Sequence, residues 1–228
     1  MSASSVILGI DATTGTCNVA LGIGSAVLTR SISARKGQSA AILALADELL
    51  AEAQTHRSAI DAIACTRGPG SFTGVRISTG VGQGLALGLD RPVVGLSTLR
   101  VVAETALQAD PTVAGALVML DARMGEIYGG LFRRGTAQEP TTVAVTEEWL
   151  GAPVGPTLPA GRWCGAGSGF AAYPSLADAT GLACIRSDCA PDMGAIMPFA
   201  QRCLDAGDVI AGGRLEPVYL RNQVTGTA

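Results

Sequence analysis

SVILGIDATTGTCNVALG, from Ser5 to Gly22, holds an apolar run, a turn led by an aspartate, and a second apolar run. SVILGI reads as a buried strand, DATTGT as a turn and CNVALGI as a returning strand, to which AVLTRSIS adds a third across Gly24-Ser25. The pattern begins again after the break at Asp110-Pro111. GALVMLDARMGEIYGGLF, from Gly115 to Phe132, can be laid over it, so that Asp11, Ala12 and Gly15 fall on Asp121, Ala122 and Gly125. A chain that starts twice in this way implies two related α/β lobes.

Between the two starts the apolar spacing lengthens. Ile42, Leu43, Ala46, Leu49, Leu50 and Ala53 recur at three and four, while Asp47, Glu48 and Glu52 take the other side. This predicts an amphipathic helix with Ser39 as its N-cap. DAIACT follows as a strand, RGPGSFTGVRISTGVGQGLALGLD (Arg67–Asp90) as a glycine loop opening a helix, RPVVGL as a strand and STLRVVAETALQ as a helix. The expected order is βββαβαβα. In the second half TTVAV, RWCGAG and LACIR read as strands, TEEWLG as a helical turn, and GFAAYPSLAD and MGAIMPFAQRCLDAG as helices. Residues 1–108 are expected to form an N-terminal lobe and residues 109–228 a shortened second copy.

Composition narrows the function. Hydrophobic residues make up 48% of the chain and charged residues 15%, against roughly 25% charged in an average soluble protein. Some apolar surface is therefore expected to lie under a partner. The net charge of -3 argues against an unaided grip on a phosphate backbone, which needs clustered Lys and Arg; a nucleic-acid role would run through a partner. The six cysteines include no C-x-x-C pair and read as reduced, buried thiols. MSASSVILGID has no basic n-region and does not read as a signal peptide. With no apolar span near the ~20 residues of a membrane helix, the expected location is the cytoplasm, away from the membrane.

Glycine inside a helix costs about 1 kcal/mol relative to alanine, yet the helix after Arg67 keeps Gly80, Gly84 and Gly88 four apart. At about 100° per residue, Arg76, Gly80, Gln83, Gly84 and Leu87 share one face, and Val81, Leu85 and Leu89 occupy much of the remainder. The glycine face is expected to admit a neighbouring helix at backbone contact, and the leucine face to meet the lobe's own sheet. The alternative is that Gly80 and Gly84 pack on this protein's own first helix. Catalytic signals are few. The single histidine, His56, is placed at the end of the first helix, where a cation suits the dipole. A histidine metal site is excluded by count, and no Cys or carboxylate spacing replaces it. Neither PGSFT, with Ser71, nor AGSGF satisfies G-x-S-x-G.

RGPGSFTGVRISTG, DARMGEIY and EPVYLRNQV, in this order and spacing, resemble the TsaB (YeaZ) family over nearly the whole chain. The resemblance implies an actin-like ATPase (ASKHA, ribonuclease H-like) fold of two related lobes, each a mixed sheet flanked by helices. It implies a noncatalytic subunit that dimerises with TsaD, the catalytic paralogue transferring threonylcarbamoyl to the tRNA adenosine beside the anticodon. TsaE, an ATPase, joins that pair; TsaC supplies the threonylcarbamoyl-adenylate; tRNA is met only through the complex; and the subunit self-associates when alone. Because the family dimerises through its N-terminal helices, Ser39 and Leu43 join Arg76, Gly80, Gln83, Gly84 and Leu87 as the expected interface. The places where an actin-like ATPase holds nucleotide fall on Asp11, Thr13, Gly15, Asp121, Gly165 and Gly167. These glycine turns suit phosphate, but the P-loop signature is absent and GAGSGF fails G-x-G-x-x-G at its last glycine. No cofactor is expected in the isolated chain, with any nucleotide confined to the subunit interface. Ala12 stands where Thr often follows the first Asp, and Gln38-Ser39 where His-Ser or His-Thr is usual, so any family role of that His is missing here. A stand-alone peptidase or weak ATPase of the same fold is the alternative.

Overall fold

A computed structural model of the chain describes residues 5–33, 36–136, 141–179 and 181–221. β1 (Val6–Asp11) and β2 (Thr16–Ile23) form an antiparallel hairpin in register from Val6–Ile23 to Asp11–Asn18. β3 (Ala26–Ser33) pairs with β2 and is exposed along almost its whole length at the sheet edge. After α1 (Gln38–Glu52), β4 (Ala62–Thr66) runs parallel to β1; after α2 (Phe72–Leu89), β5 (Val93–Leu96) runs parallel to β4. The sheet order is β3-β2-β1-β4-β5, and α3 (Thr98–Ala109) completes the expected βββαβαβα. Helix α1 starts two residues earlier than expected, with Gly37 in place of Ser39 as its N-cap. Gly37 in the left-handed region precedes it with no side-chain cap, leaving Gln38 buried and Ser39 exposed. Glycine adopts this positive φ without the steric cost that a Cβ would add.

The second sheet is built on another hairpin, β6 (Gly115–Arg123) with β7 (Glu126–Arg133). β8 (Val143–Ala144) and β9 (Trp149–Gly151) both pair antiparallel with β7, while β10 (Trp163–Ala166) and β11 (Cys184–Arg186) extend the other side in parallel. TEEWLG is thus no helical turn. Its Trp149 sits opposite Gly129, where a Cβ would fall 2.3 Å from the indole ring. The glycine lets the ring lie flat on the strand, and burying an aromatic of that size outweighs the weak helical preference of a six-residue segment. GFAAYPSLAD is two short helices, α4 (Gly169–Ala172) and α5 (Ser175–Ala179), divided at Pro174, whose ring bars continuation. Leu117, Met119, Trp163, Phe170 and Leu176 form the core over this face.

The last helix, α6 (Met193–Ala206), returns to the first sheet. The chain accordingly divides into one unit of Met1–Val101 with Pro191–Pro217 and another of Val102–Ala190 with Val218–Ala228. The expected boundary at 108/109 is corrected by this return. β1 is buried on both faces: Val6, Leu8 and Ile10 meet Ile42, Leu45 and Leu49 of α1, and Ile7 meets Met193, Ile196 and Met197 of α6. A strand covered on both faces reads as an unbroken apolar run, which is what VILGI is. Gly9 is the breach in that run because Met197 needs the space; a Cβ there would lie 2.5 Å from the Met197 Cε.

Candidate functional site

Asp11 ends β1 with no exposed surface. Its Oδ1 accepts hydrogen bonds from the Thr13 amide (3.1 Å), the Thr13 hydroxyl (2.6 Å) and the Thr66 hydroxyl (2.6 Å), and its Oδ2 accepts one from Asn18 at 3.4 Å. Burial pushes the carboxyl above the ordinary range, against the downward pull of the Thr13, Thr66 and Asn18 hydrogen bonds. The Thr66 hydroxyl also meets that of Ser78 at 3.0 Å, and the Thr98 hydroxyl donates to that of Thr13 at 3.2 Å. Thr13 is buried, while Gly15 is exposed with φ +89 at the tip of the turn. Thr66, Ser78 and Thr98 escape a reading of motifs. The signal for Thr66 is topological: once β4 lies parallel to β1 with Cys65 opposite Ile10, the next residue stands beside Asp11.

The glycine loop docks on this turn. Ser71 donates its amide to the Thr13 carbonyl at 2.9 Å. A Cβ on Gly70 would lie 2.7 Å from that same oxygen, and one on Gly74 would lie 2.1 Å from the Ala12 carbonyl oxygen. Gly70 and Gly74 therefore exist for close approach of backbone to backbone. Ser71 is the N-cap of α2, its hydroxyl accepting from the Gly74 amide at 3.0 Å.

Along α2 the assignment of faces needs one correction. The buried residues are Gly74, Val75, Ser78, Thr79, Gly82 and Ala86; Val81, Leu85 and Leu89 are only half-buried, packed on the flank of the core. The polar pair Ser78 and Thr79 hides the true inward face from a hydrophobic pattern: Thr79 satisfies itself on the Val75 carbonyl at 2.9 Å, and Ser78 belongs to the Asp11 network. Opposite lies the open face. A Cβ on Gly80, Gly84 or Gly88 would meet nothing within 4 Å, so these glycines do not pack on α1, which removes the alternative reading. Leu87 is 62% exposed, Leu43 of α1 44% and Phe72 46%. The Arg76 guanidinium stacks on the Phe72 ring at 3.6 Å. Ser39 of α1 with Phe72, Thr73, Arg76 and Gly80 lines an open groove of about 490 Å³. Gln83 is turned aside, donating to the Gly213 carbonyl at 3.3 Å.

In the second unit Asp121 accepts the Arg123 amide at 2.9 Å and pairs with its guanidinium at 2.9 Å; its own amide donates to Ser168 at 3.1 Å. Gly125, with φ +79, repeats the place of Gly15. The glycines of the GAGSG loop serve packing. A Cβ on Gly165 would fall 2.7 Å from Phe170 and Leu182, and one on Gly167 2.6 Å from the Met119 carbonyl oxygen. His56 does not end α1. Its Nδ1 accepts the Ser58 amide at 3.3 Å and caps a short 3-10 turn, Arg57–Ala59. Of EPVYLRNQV, the last three residues lie outside the described residues; Arg221 within it pairs with Glu126 at 2.7 Å and donates to the Ala122 carbonyl at 3.1 Å.

Residues 32–171 match the family model described as TsaD, tRNA N6-adenosine threonylcarbamoyltransferase. The chain is similar to the tRNA threonylcarbamoyladenosine biosynthesis protein TsaB of Escherichia coli K12, 36% identical over 225 residues, spanning 96% of this chain and 95% of that protein. It is also similar to TsaB of Haemophilus influenzae Rd, 33% identical over 232 residues, spanning 96% and 94%. Among solved structures it is similar to YeaZ from Pseudomonas aeruginosa, 30% identical with a TM-score of 0.85, over 95% of this chain and 100% of that one.

Proposed function

Because the chain belongs to the TsaB family of tRNA threonylcarbamoyladenosine biosynthesis proteins, and its two mixed sheets flanked by helices are the actin-like fold, we propose that it is the noncatalytic subunit that pairs with TsaD. The seat of pairing is the face of α1 and α2 carrying Ser39, Leu43, Arg76, Gly80, Gly84 and Leu87. TsaE and TsaC act with that pair, tRNA is met only through it, and in its absence the same face joins two copies of this chain. The work takes place in the cytoplasm; among the described residues no helix is long and apolar enough to cross a membrane.

The observation that carries this reading is the row of Gly80, Gly84 and Gly88, open to solvent and flanked by exposed Leu43, Phe72 and Leu87. These three glycines cost about 3 kcal/mol relative to alanine, and among the described residues no packing offsets it. A helix seated at backbone distance does. The match of more than half the chain to the TsaD model supports a partner built on the same plan. What supports the noncatalytic part is the enclosure of Asp11, whose oxygens are held by Thr13, Thr66 and Asn18; the turns at Asp11 and Asp121 and the loop at Gly165 and Gly167 then serve as relic nucleotide turns.

The test is Gly84→Leu, with Gly80→Leu as a second variant, mixed with purified TsaD and followed by sedimentation. Both variants should melt at or above wild type and fail to form the mixed complex. Normal association by both overturns the seat; ATP or peptide turnover by the purified chain alone overturns the noncatalytic role.

A further inference from the structure

The edge of the second sheet carries cysteines that play no part in the proposed pairing. β10 and β11 run parallel with Cys164 directly opposite Cys184, so both side chains leave the same face at the spacing of neighbouring strands, about 4.8 Å. That spacing lies within the Cα separation a disulfide bridges, about 4.4–6.8 Å. All six cysteines are unbonded. Cys164 is buried, its thiol donating to the Gly165 carbonyl at 3.3 Å, and Cys184 is half-buried. On the same face, Arg186 reaches the Ala109 carbonyl at 3.4 Å and its charge is felt at Cys164; Asp110 Oδ2 lies 4.0 Å from the Cys184 sulfur. The third thiol nearby, Cys189, lies beyond β11 and is directed to the Val102 carbonyl at 3.8 Å.

We propose that Cys164 and Cys184 are a redox modification site, converted by a hydroperoxide into a disulfide that joins β10 to β11. The accessible Cys184 sulfur attacks the peroxide: an S–O bond forms, the O–O bond breaks, and the departing oxygen takes a proton and leaves as water. The Cys164 sulfur then attacks Cys184, the S–S bond forms, and the hydroxyl leaves with the Cys164 proton as a second water. Two thiols lose two electrons and one hydrogen peroxide gains them. The Arg186 cation favours the anionic sulfur of Cys164 in the second attack. Burial first, and the neighbouring Cys184 second, push the Cys164 thiol up to about 12, which makes it the slow, resolving partner and Cys184 the point of entry.

The test treats the full chain with hydrogen peroxide, then alkylates free thiols and maps peptides by mass spectrometry without reduction. The expected result is a loss of two hydrogens per chain, protection of two of the six thiols, and one crosslinked peptide pair holding Cys164 and Cys184 that a dithiol reductant reverses. Cys184→Ser should abolish the crosslink while retaining the wild-type melt, and Cys189→Ser should leave it intact. The proposal is overturned by a crosslink to Cys189, by Cys184 accumulating as sulfinic acid beside a free Cys164, by a crosslink that persists in Cys184→Ser, or by six intact thiols after glutathione in the same tube has been oxidised.

Discussion

Replacing Gly80, Gly84 and Gly88 together by alanine should stabilise the isolated chain. At each position the new methyl meets nothing within 4 Å, so the only change is helix propensity, about 0.8–1.0 kcal/mol per site. Residues four apart keep their Cβ atoms about 5–6 Å from one another, and the three gains sum to roughly 2.5–3 kcal/mol. For a chain of this size that is a rise in melting temperature of about 5–12 °C. Gly82, on the same helix but facing inward, should behave oppositely. Its Cβ would fall 2.8 Å from the Cys65 sulfur and 3.3 Å from Leu215, and overpacking of about 1–3 kcal/mol outweighs the same propensity gain. Urea unfolding and calorimetry at several protein concentrations separate this from self-association, because stabilisation by association depends on concentration and the propensity gain does not. A triple variant that melts at or below wild type, or a Gly82→Ala that gains as much as the others, refutes the assignment of the two faces.

Asp11→Asn tests the buried carboxyl through pH. Burial raises its folded value, so the stability it contributes is fully present below the unfolded value near 3.8 and is lost as pH rises through the folded one; the variant should gain on wild type steadily from about pH 4 upward, and a pH-independent difference in urea midpoints would refute this. Arg134 donates to the carbonyls of Val113 (3.0 Å), Leu107 (2.7 Å) and Asp110 (2.6 Å), so Arg134→Met should cost about 2–4 kcal/mol by leaving those oxygens without a charged donor, with Arg134→Lys recovering less than half by thermal unfolding. Gly129→Ala should lower stability by about 1–3 kcal/mol and change the near-ultraviolet circular dichroism of Trp149, since the methyl would occupy the place of the ring; an unchanged spectrum counts against that packing.

Both hairpins were legible because a buried strand, an Asp-led turn and a returning strand are local patterns, and the parallel strands because runs such as AIACT are covered on both faces. Less visible were features that depend on distant neighbours. The inward face of α2 is polar and glycine-rich because Ser78 joins the Asp11 network and Gly82 meets Cys65, so the half-buried Val81, Leu85 and Leu89 stand out in the pattern instead. Seven glycines between Gly68 and Gly88 look alike in sequence; only the fold separates Gly70 and Gly74, pressed on backbone, from Gly80, Gly84 and Gly88, which touch nothing. Trp149 could be read as helical until Gly129 is known to lie opposite.

The return of α6 to the first sheet sets an order of events during synthesis. Ile7, Ala20 and Val94 share their core with Met193, Ile196 and Met197, which are made almost two hundred residues after β1 has left the ribosome. The strands and helices drawn from Val102–Ala190 can close on each other first, so the lobe that is translated earlier is finished later, against the usual N-to-C sequence of domain folding. A nascent chain halted before Pro191 leaves that sheet face without its α6 cover, a transiently exposed apolar surface of the kind that invites aggregation.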